Sequence, residues 1–440
     1  MERRKGRKAM TTCKAILEGL AAGTYDDRLS RAYCVTGGEV AAHRHRVADA
    51  VKRYQALFAA EGGCAVSVYS GPGRTELGGN HTDHQHGRVL AASVNMDMLA
   101  VAAPNGSGTI RIQSEGYPAL EVELSLLTPQ LGEEGTSAAL IRGVAAQMAA
   151  EGHSLGGFNA YITSCVPAGS GLSSSAAYEV LIGVILNHLF CGNVYDPVRI
   201  AQMGQAAENK FFGKPCGLMD QTACAVGGSV SIDFLDPAAP LVCRVDFDFP
   251  ATGYALCIID SGADHADLTD EYAAITREMG GVAAALGKAV LRDVDEGAFH
   301  ARIPELRRAL GDRAILRAIH FFSEDRRAAQ EAQALERGDF EGFLALARAS
   351  GLSSALHLQN TWAAPNPSQQ AIPLVLAEAE AVLAGRGAAR VHGGGFAGTV
   401  QAFVPGDLLP AFRARMEALL GPDMCHVLSI RPEGGCILID

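Results

Sequence analysis

Three stretches of the sequence combine several glycines with polar side chains. The central one, residues 167–177, reads PAGSGLSSSAA and lies between an apolar strand predicted at 156–167 and an apolar helix predicted at 173–190. Glycines let a backbone approach a ligand closely, and the free N–H groups at the start of a helix attract anions. Serines there can cap the helix, donate to phosphate oxygens or bind Mg²⁺. The pattern predicts a phosphate-binding loop, with a serine-capped helix after a plain turn as the structural alternative.

Two further stretches carry groups suited to binding or catalysis. Residues 70–87 read SGPGRTELGGNHTDHQHG, which places Arg74 after a Gly-Pro-Gly turn and opens a loop rich in hydrogen-bonding side chains. The histidines and the aspartate of this loop also allow a zinc site, although their spacing is not a common zinc motif. Residues 390–400 read RVHGGGFAGTV and predict a late glycine turn. Asp220 follows an apolar run, so its carboxylate should be paired or hydrogen-bonded.

The elements that position these stretches alternate between strands and helices without a regular βαβ order, which predicts an α+β fold. A strand starting at residue 65 is expected to break at Gly71-Pro72-Gly73, and strands at 88–104 and 108–116 are expected to be neighbours. Prolines near 240–252 indicate a domain boundary. The remaining predicted elements are helices at 11–60, 135–152, 198–213 and 269–357, and strands at 228–236, 253–262, 388–405 and 424–440.

Composition excludes several classes of protein. With 440 residues, 48% of them hydrophobic and 19% charged, the chain is too apolar to be disordered and long enough for two domains. The net charge of −11 argues against nucleic-acid binding. No apolar run has the length of a membrane span, and the basic start MERRKGRKAM is not followed by a signal-like apolar core. Eleven cysteines without a CxxC pair indicate reduced thiols in a cytoplasmic protein.

In their order along the chain, the three glycine-containing stretches resemble the motifs PGRxNLxGEHTD, PxGxGLSSSA and GGGFGG of the GHMP small-molecule kinases, and most nearly those of the galactokinases. Residues 206–221, AAENKFFGKPCGLMDQ, are similar to the galactokinase stretch AEHxFxGxPCGIMDQ, and residues 260–272 are similar to SNxxHSLxxSEY. The resemblance covers residues 60–440, whereas residues 1–50 have no counterpart in it.

The resemblance implies a two-domain GHMP kinase fold with the active site in the cleft between the domains. Residues 1–55 are then an N-terminal helical extension. Residues 56–245 form a domain like ribosomal S5 domain 2, which carries the sugar and ATP loops, and residues 246–440 form a ferredoxin-like domain.

The same resemblance implies roles for individual residues. Asp220 is the expected catalytic base for a sugar hydroxyl and Arg74 its partner, and Ser175 and Glu208 are the expected ligands of Mg²⁺. The sugar-binding residues are expected to be Asn80, His81, Thr82, Asp83 and Tyr272. The ATP loop is expected to consist of Gly169, Ser170, Gly171, Leu172, Ser173, Ser174 and Ser175.

The expected reaction is ATP-dependent phosphorylation of the anomeric hydroxyl of galactose, giving galactose 1-phosphate and ADP. One departure bears on the sugar: Asn80 stands where the family motif has glutamate, at the position that contacts the hydroxymethyl end. With that negative charge removed, a site that tolerates a changed C6, even the carboxylate of galacturonate, is a further hypothesis. A kinase for galacturonate, arabinose or an amino sugar, or a sensor that binds galactose and ATP without turnover, remain the alternatives. The sequence leaves the oligomeric state open.

Overall fold

The computed structural model describes residues 10–58, 64–167, 171–214, 216–263 and 268–440, and it has the α+β architecture that the sequence predicts. The strands are β1 (Thr11–Thr12), β2 (Ala65–Gly78), β3 (Arg88–Pro104), β4 (Thr109–Ser114), β5 (Leu120–Glu123), β6 (Phe158–Ser164), β7 (Ser229–Asp233), β8 (Leu241–Val245), β9 (Tyr254–Asp260), β10 (Ala388–His392), β11 (Thr399–Pro405), β12 (Cys425–Leu428) and β13 (Cys436–Ile439). The α-helices are α1 (Cys13–Ala21), α2 (Asp26–Tyr33), α3 (Val40–Phe58), α4 (Ser137–Ala150), α5 (Ser174–Phe190), α6 (Pro197–Ala207), α7 (Met219–Val226), α8 (Thr269–Ala285), α9 (Glu296–Leu310), α10 (Asp312–Glu336), α11 (Phe340–Ser353), α12 (Ala371–Leu383) and α13 (Leu409–Leu420). In these ranges, no helix combines the length and the apolar character needed to cross a membrane.

The larger sheet is organised around the long neighbouring strands β2 and β3. Its main path runs β1-β2-β3-β6-β4-β5, with β13 paired to β2 and with β7 joining β3 to β8. Side chains of β3 alternate between two cores, because successive residues of a strand point to opposite faces. Leu99, Val101 and Ala103 pack against the N-terminal helices, whereas Ala100 and Ala102 pack against the helical layer formed by α4 to α7.

Two expectations about these strands are wrong. The strands at 88–104 and 108–116 are not neighbours, because β6 lies between β3 and β4 and pairs in parallel with β4. The strand starting at residue 65 does not break at the Gly-Pro-Gly segment; it continues to Gly78 with a register shift between Pro72 and Arg74. A Cβ atom at Gly71 would lie 2.5 Å from the carbonyl oxygen of Ala177, so this glycine allows α5 to approach the strand closely.

The smaller sheet has the order β10-β11-β9-β12 and is antiparallel. Helices α12 and α13 cover one face of it, while α10 and α11 help to join the other face to the far half of β2 and β3. Its hairpin between β10 and β11 carries the late glycine turn of residues 393–395. Strand β8, Leu241–Val245, lies inside the segment where prolines indicate a domain boundary, and it pairs with β7 of the larger sheet.

Both ends of the described chain return to the larger sheet. Near the N-terminus, β1 pairs with β2, and helices α1 to α3 cover the second core of the sheet. Asp97 of β3 is completely buried at this junction, where Arg46 of α3 and Arg431 contribute guanidinium groups. The hydroxyl of Tyr33 donates to the same carboxylate at 2.9 Å. One buried carboxylate therefore links α2, α3 and the C-terminal segment to the sheet.

Candidate active site

Arg74 and Asp220 form a bidentate ion pair between β2 and the first turn of α7. Nε and Nη2 of Arg74 donate to the two carboxylate oxygens of Asp220 at 2.8 and 2.7 Å. The third guanidinium nitrogen, Nη1, donates to the carbonyl oxygen of Gly171, and the backbone N–H of Arg74 donates to that of Leu172 at 3.0 Å. The structure thus brings together Arg74, Asp220 and the described part of the predicted ATP loop, residues 171–175, which we call the serine loop. These three groups are far apart in the sequence.

Asp220 is held in its ionised form. Burial alone would raise the pKa of its carboxyl group, but the charge and hydrogen bonds of Arg74, with the hydroxyl of Ser173, outweigh burial and lower the pKa below its usual value. Its side chain keeps 30% of its surface exposed. The carboxylate is therefore charged at neutral pH and still accessible to a ligand.

The serine loop ends at the start of α5. Ser173 adopts a left-handed conformation with φ of 60°, and its side chain bonds Asp220 instead of capping the helix. Among the described residues no side chain caps α5, so its first N–H groups are available to an anion. Gly171 has φ of 68°, and a Cβ atom there would lie 2.7 Å from Oγ1 of Thr399. Of the predicted loop residues, Gly169 and Ser170 lie outside the described ranges.

Ser175 and Glu208 meet one turn further along. Oγ of Ser175 donates to Oε1 of Glu208 at 3.2 Å, while Nε2 of Gln221 donates to the other carboxylate oxygen at 2.8 Å. Glu208 is buried at the end of α6, and the exposed Lys214 approaches it with Nζ at 3.5 Å. The amide of Gln221 also contacts Glu179, whose pKa is raised by burial and by the nearby charge of Glu208.

The pair of Ser175 and Glu208 fits the preferences of Mg²⁺. This ion takes hard oxygen ligands and usually binds one or two protein groups together with phosphate oxygens and water. A hydroxyl and a carboxylate oxygen 3.2 Å apart beside an uncapped helix start supply that donor set. By contrast, the described ranges contain no group of three or more His, Cys, Asp or Glu side chains able to hold a metal ion, so the zinc alternative for the histidine loop gains no support.

A cavity of about 590 Å³ opens on the other side of the ion pair. Its volume is typical of small-ligand sites. Leu218, Met219 and Phe234 contribute apolar surface to its wall. The polar residues lining it are Arg74, Glu76, His81, Asp83, His84, His86, Gln205, Asp220, Tyr272 and Thr276, with the turn residues Gly393 and Gly394.

Asp83 reaches this cavity from the loop after β2. Its carboxylate accepts the backbone N–H of His84 at 2.9 Å and packs against Gly217. Burial raises the pKa of Asp83 to about 6, and the negative charge of Asp220 contributes to the same shift. The carboxyl groups of Asp83 and Asp220 therefore face the same cavity, and their environments shift the two pKa values in opposite directions.

Two of the predicted sugar-binding residues do not line the cavity. Thr82 is buried and donates through Oγ1 to the carbonyl oxygens of Gly79 and Arg88 at 2.9 and 2.6 Å, which closes the turn of the loop. Asn80 has no exposed surface, and its amide bonds protein groups behind the cavity wall. The other three, His81, Asp83 and Tyr272, line it.

His81 and Tyr272 are fixed by the late glycine turn. Nε2 of His81 contacts the carbonyl oxygen of Gly394 at 3.0 Å, and burial lowers the pKa of this imidazole to about 4. The hydroxyl of Tyr272 donates to the carbonyl of Gly395 at 2.9 Å, while its ring lies edge-on to Phe396. A Cβ atom at Gly394 would lie 2.5 Å from Cε1 of Tyr272, so the absence of a side chain lets the turn approach the ring.

Two further residues at the site, Glu76 and Arg390, are not predicted from the sequence. Glu76 lies on β2 two residues after Arg74 and lines the cavity, although only 4% of its side chain is exposed. Arg390 of β10 donates to its Oε1 at 2.8 Å and to its carbonyl oxygen at 2.9 Å. The signal for Glu76 was its position on the same strand face as Arg74; nothing local in the sequence indicated that Arg390 would be buried against it.

Two sequence-family profiles match the chain. The profile of the GHMP kinases N terminal domain matches residues 139–228, which include Ser175, Glu208 and Asp220. The galactokinase galactose-binding signature matches residues 52–104, which include Arg74 and the loop after β2.

Solved structures share the fold over most of its length. The structure of Lactococcus lactis galactokinase complexed with galactose has a TM-score of 0.73 and 25% identity, covering 88% of this chain and 98% of that chain. L. major mevalonate kinase in complex with R-mevalonate has a TM-score of 0.56 and 14% identity, covering 84% of this chain and 97% of that chain. Streptococcus pneumoniae phosphomevalonate kinase in complex with phosphomevalonate and AMPPNP has a TM-score of 0.57 and 14% identity, covering 82% of this chain and 99% of that chain. The chain thus carries a GHMP kinase N-terminal domain at residues 139–228 and the galactose-binding signature of the galactokinases at residues 52–104, and its fold is similar to that of Lactococcus lactis galactokinase.

Proposed function

We propose that this protein transfers the terminal phosphoryl group of ATP to the anomeric hydroxyl of galactose, giving galactose 1-phosphate and ADP. The observation that carries this proposal is the position of Asp220. Its carboxylate accepts from Ser173 of the loop at the start of α5 and from Arg74, and it also lines the cavity. One charged group thus lies between an anion site and a site of sugar size, which is the arrangement that phosphoryl transfer requires.

In this proposal the described loop residues from Gly171 to Ser175 hold the phosphates of ATP. The uncapped N–H groups of α5 donate to phosphate oxygens, and the positive end of the helix dipole favours their charge. Arg74 can stabilise negative charge on the transferring group while it remains bonded to Asp220.

Asp220 orients the acceptor hydroxyl in this mechanism. A carboxylate whose pKa is lowered is a weak base, so it does not ionise the hydroxyl beforehand. It accepts the hydrogen bond of the hydroxyl and takes the proton as the new bond to phosphorus forms, which suits the loose transition state of phosphoryl transfer.

Mg²⁺, when bound, neutralises charge on the phosphates of ATP. Ser175 and Glu208 would hold it through the hydroxyl and carboxylate oxygens that now contact each other. The ammonium group of Lys214, 3.5 Å from Glu208, compensates the charge of that carboxylate.

His81, Asp83 and Tyr272 are the proposed contacts of the sugar. The neutral imidazole of His81, the carboxyl group of Asp83 and the phenol of Tyr272 together provide donors and acceptors for sugar hydroxyls. Asn80 and Thr82 act behind them, by fixing the loop.

The alternative substrates are less well supported. Galacturonate would add negative charge to a cavity whose carboxyl groups already outnumber its one guanidinium group among the described lining residues.

A sensor without turnover is also disfavoured, because the proposed catalytic and metal-binding groups lie together in bonded positions.

We place the reaction in the cytoplasm, since all eleven cysteines are free thiols, as expected for a reducing compartment.

The test is ADP release with galactose, galacturonate, galactosamine, arabinose and glucose. We expect galactose to give the highest kcat/KM and its product to lose the reducing end, because phosphate occupies the anomeric position. Asp220→Asn should lower kcat at least about 100-fold. Asp49→Asn, on the exposed face of α3, is the matched control and should retain full activity. Absence of turnover with every sugar, or a product that still reduces copper, would contradict the proposal.

A further inference from the structure

In the motif that spans the end of β2 and the following loop, an amide and a carboxylate have exchanged positions. The galactokinase-like pattern PGRxNLxGEHTD has asparagine two residues after its arginine and glutamate six residues after it. Here the same segment reads PGRTELGGNHTD, so Glu76 stands at the asparagine position and Asn80 at the glutamate position. The carboxyl group has therefore moved by four residues within the motif, which argues against the hypothesis that it is removed from the site.

Asn80 has no hydrogen-bonding capacity left for a sugar. Its Nδ2 donates to the carbonyl oxygen of Gly393 at 2.7 Å and to the carboxylate of Glu76 at 3.2 Å. Its Oδ1 accepts from Nδ2 of Asn360 at 3.0 Å and from Oγ of Ser354 at 3.4 Å. Two donors and two acceptor positions are the full inventory of a side-chain amide, so protein groups use all of it.

Glu76 differs from Asn80 in facing the cavity. Arg390 occupies one side of its Oε1, and the amide of Asn80 lies 3.2 and 3.3 Å from its two oxygens. These contacts fix the carboxyl group without using all four acceptor positions of a carboxylate. Because residues two apart on a strand are about 6.5 Å apart on the same face, Glu76 lies about one pyranose ring beyond Arg74.

We propose that Glu76 is a specificity-determining residue that accepts a hydrogen bond from the terminal hydroxymethyl group of the sugar, while Asn80 only holds it in place. This inference rests on the proposed function, because Asp220 must fix the anomeric hydroxyl at the near end of the ring. It assigns the site to neutral sugars with a free terminal hydroxyl and against those with a carboxylate there.

The experiment compares galactose with 6-deoxygalactose, which lacks only the terminal hydroxyl. Burial raises the pKa of Glu76 to about 7, so the assay is run at pH 8, where this carboxyl group is mostly ionised. The wild-type protein should then prefer galactose by about 10- to 100-fold in kcat/KM, the range of one hydrogen bond to a charged acceptor. Glu76→Gln should lower that preference about 10-fold, mainly through the KM for galactose, and should change kcat/KM for 6-deoxygalactose little. The control Glu121→Gln, at an exposed position of β5, should preserve the preference.

A double variant keeps the test independent of folding. Asn80→Glu alone places two carboxyl groups side by side in a buried space and should destabilise the protein. Glu76→Asn combined with Asn80→Glu restores the order of the motif, and we expect it to recover folding and the preference for galactose. Equal losses on both sugars in Glu76→Gln, or a double variant no better than Asn80→Glu, would overturn this inference. A wild-type protein inactive on both sugars would overturn the proposed function itself.

Discussion

Asp83 occupies the space that a side chain at residue 217 would need, since a Cβ atom on Gly217 would lie 1.9 Å from its Oδ2. The glycine segment before α7 and the loop after β2 are therefore in direct contact at the cavity wall. Gly217 thus acts on the cavity through the position of the Asp83 carboxyl group.

Gly217→Ala should displace the Asp83 carboxyl group and weaken sugar binding. We expect the KM for galactose to rise about 10-fold or more, because a 1 Å displacement in a site is costly. The KM for ATP should change little, since the substituted residue lies on the cavity side of the ion pair. Gly108→Ala is the control, because nothing lies within 4 Å of its added Cβ atom. An unchanged galactose KM in Gly217→Ala would contradict the contact.

Asp83 should also make stability depend on pH. Its pKa is raised from 3.8 to about 6 by burial, so the folded protein binds more protons than the unfolded chain between these values. The free energy of unfolding should therefore fall as pH rises from about 4 to about 6, by about 1 to 3 kcal/mol from this group. Asp83→Asn should remove that decrease and be more stable than the wild type at pH 7. Urea unfolding between pH 4 and pH 8 measures the decrease with pH and the difference between the two proteins at pH 7. Parallel plots of unfolding free energy against pH for the two proteins would refute the raised pKa of Asp83.

Removal of the proposed metal ligands should raise the requirement for Mg²⁺. Glu208→Gln and Ser175→Ala each take away one hard oxygen, and we expect the Mg²⁺ concentration for half-maximal activity to rise about 10-fold. Binding of Mg²⁺ and ATP, followed by calorimetry, should weaken in parallel. Glu336→Gln, at the exposed end of α10, is the matched control. A normal Mg²⁺ dependence in both variants would exclude this pair as the metal site.

Asp97 should matter for stability rather than for catalysis. Asp97→Ala leaves the guanidinium groups of Arg46 and Arg431 without their shared carboxylate in a buried junction. We expect a loss of about 3 to 5 kcal/mol in the free energy of unfolding, as for a broken buried ion pair. The folded fraction should keep a normal galactose KM, because Asp97 does not line the cavity. Asp49→Asn provides an exposed comparison in α3, and a loss below about 1 kcal/mol in Asp97→Ala would show that the junction contributes little.

The local motifs were predictable from the sequence because each depends on a few consecutive residues. The serine loop needs glycine before a helix start, and the structure places Ser173 and the first turn of α5 where that pattern predicts. The apolar stretch before Asp220 implied a partner for the carboxylate, and Arg74 provides it. The α+β class likewise followed from the hydrophobic periods of strands and helices.

The structure alone decided which side chains face the cavity. The sequence could not show that β6 inserts between β3 and β4, because strand order depends on contacts between distant segments. The roles of residues 76 and 80 could not be predicted for the same reason, because their contacts come from distant segments. Arg390, more than 300 positions further along the chain, bonds Glu76 from β10, and Gly393 takes up the amide of Asn80. Sequence determines which groups are available; the packing of the smaller sheet against β2 determines which of them still have a free hydrogen-bonding position for a ligand.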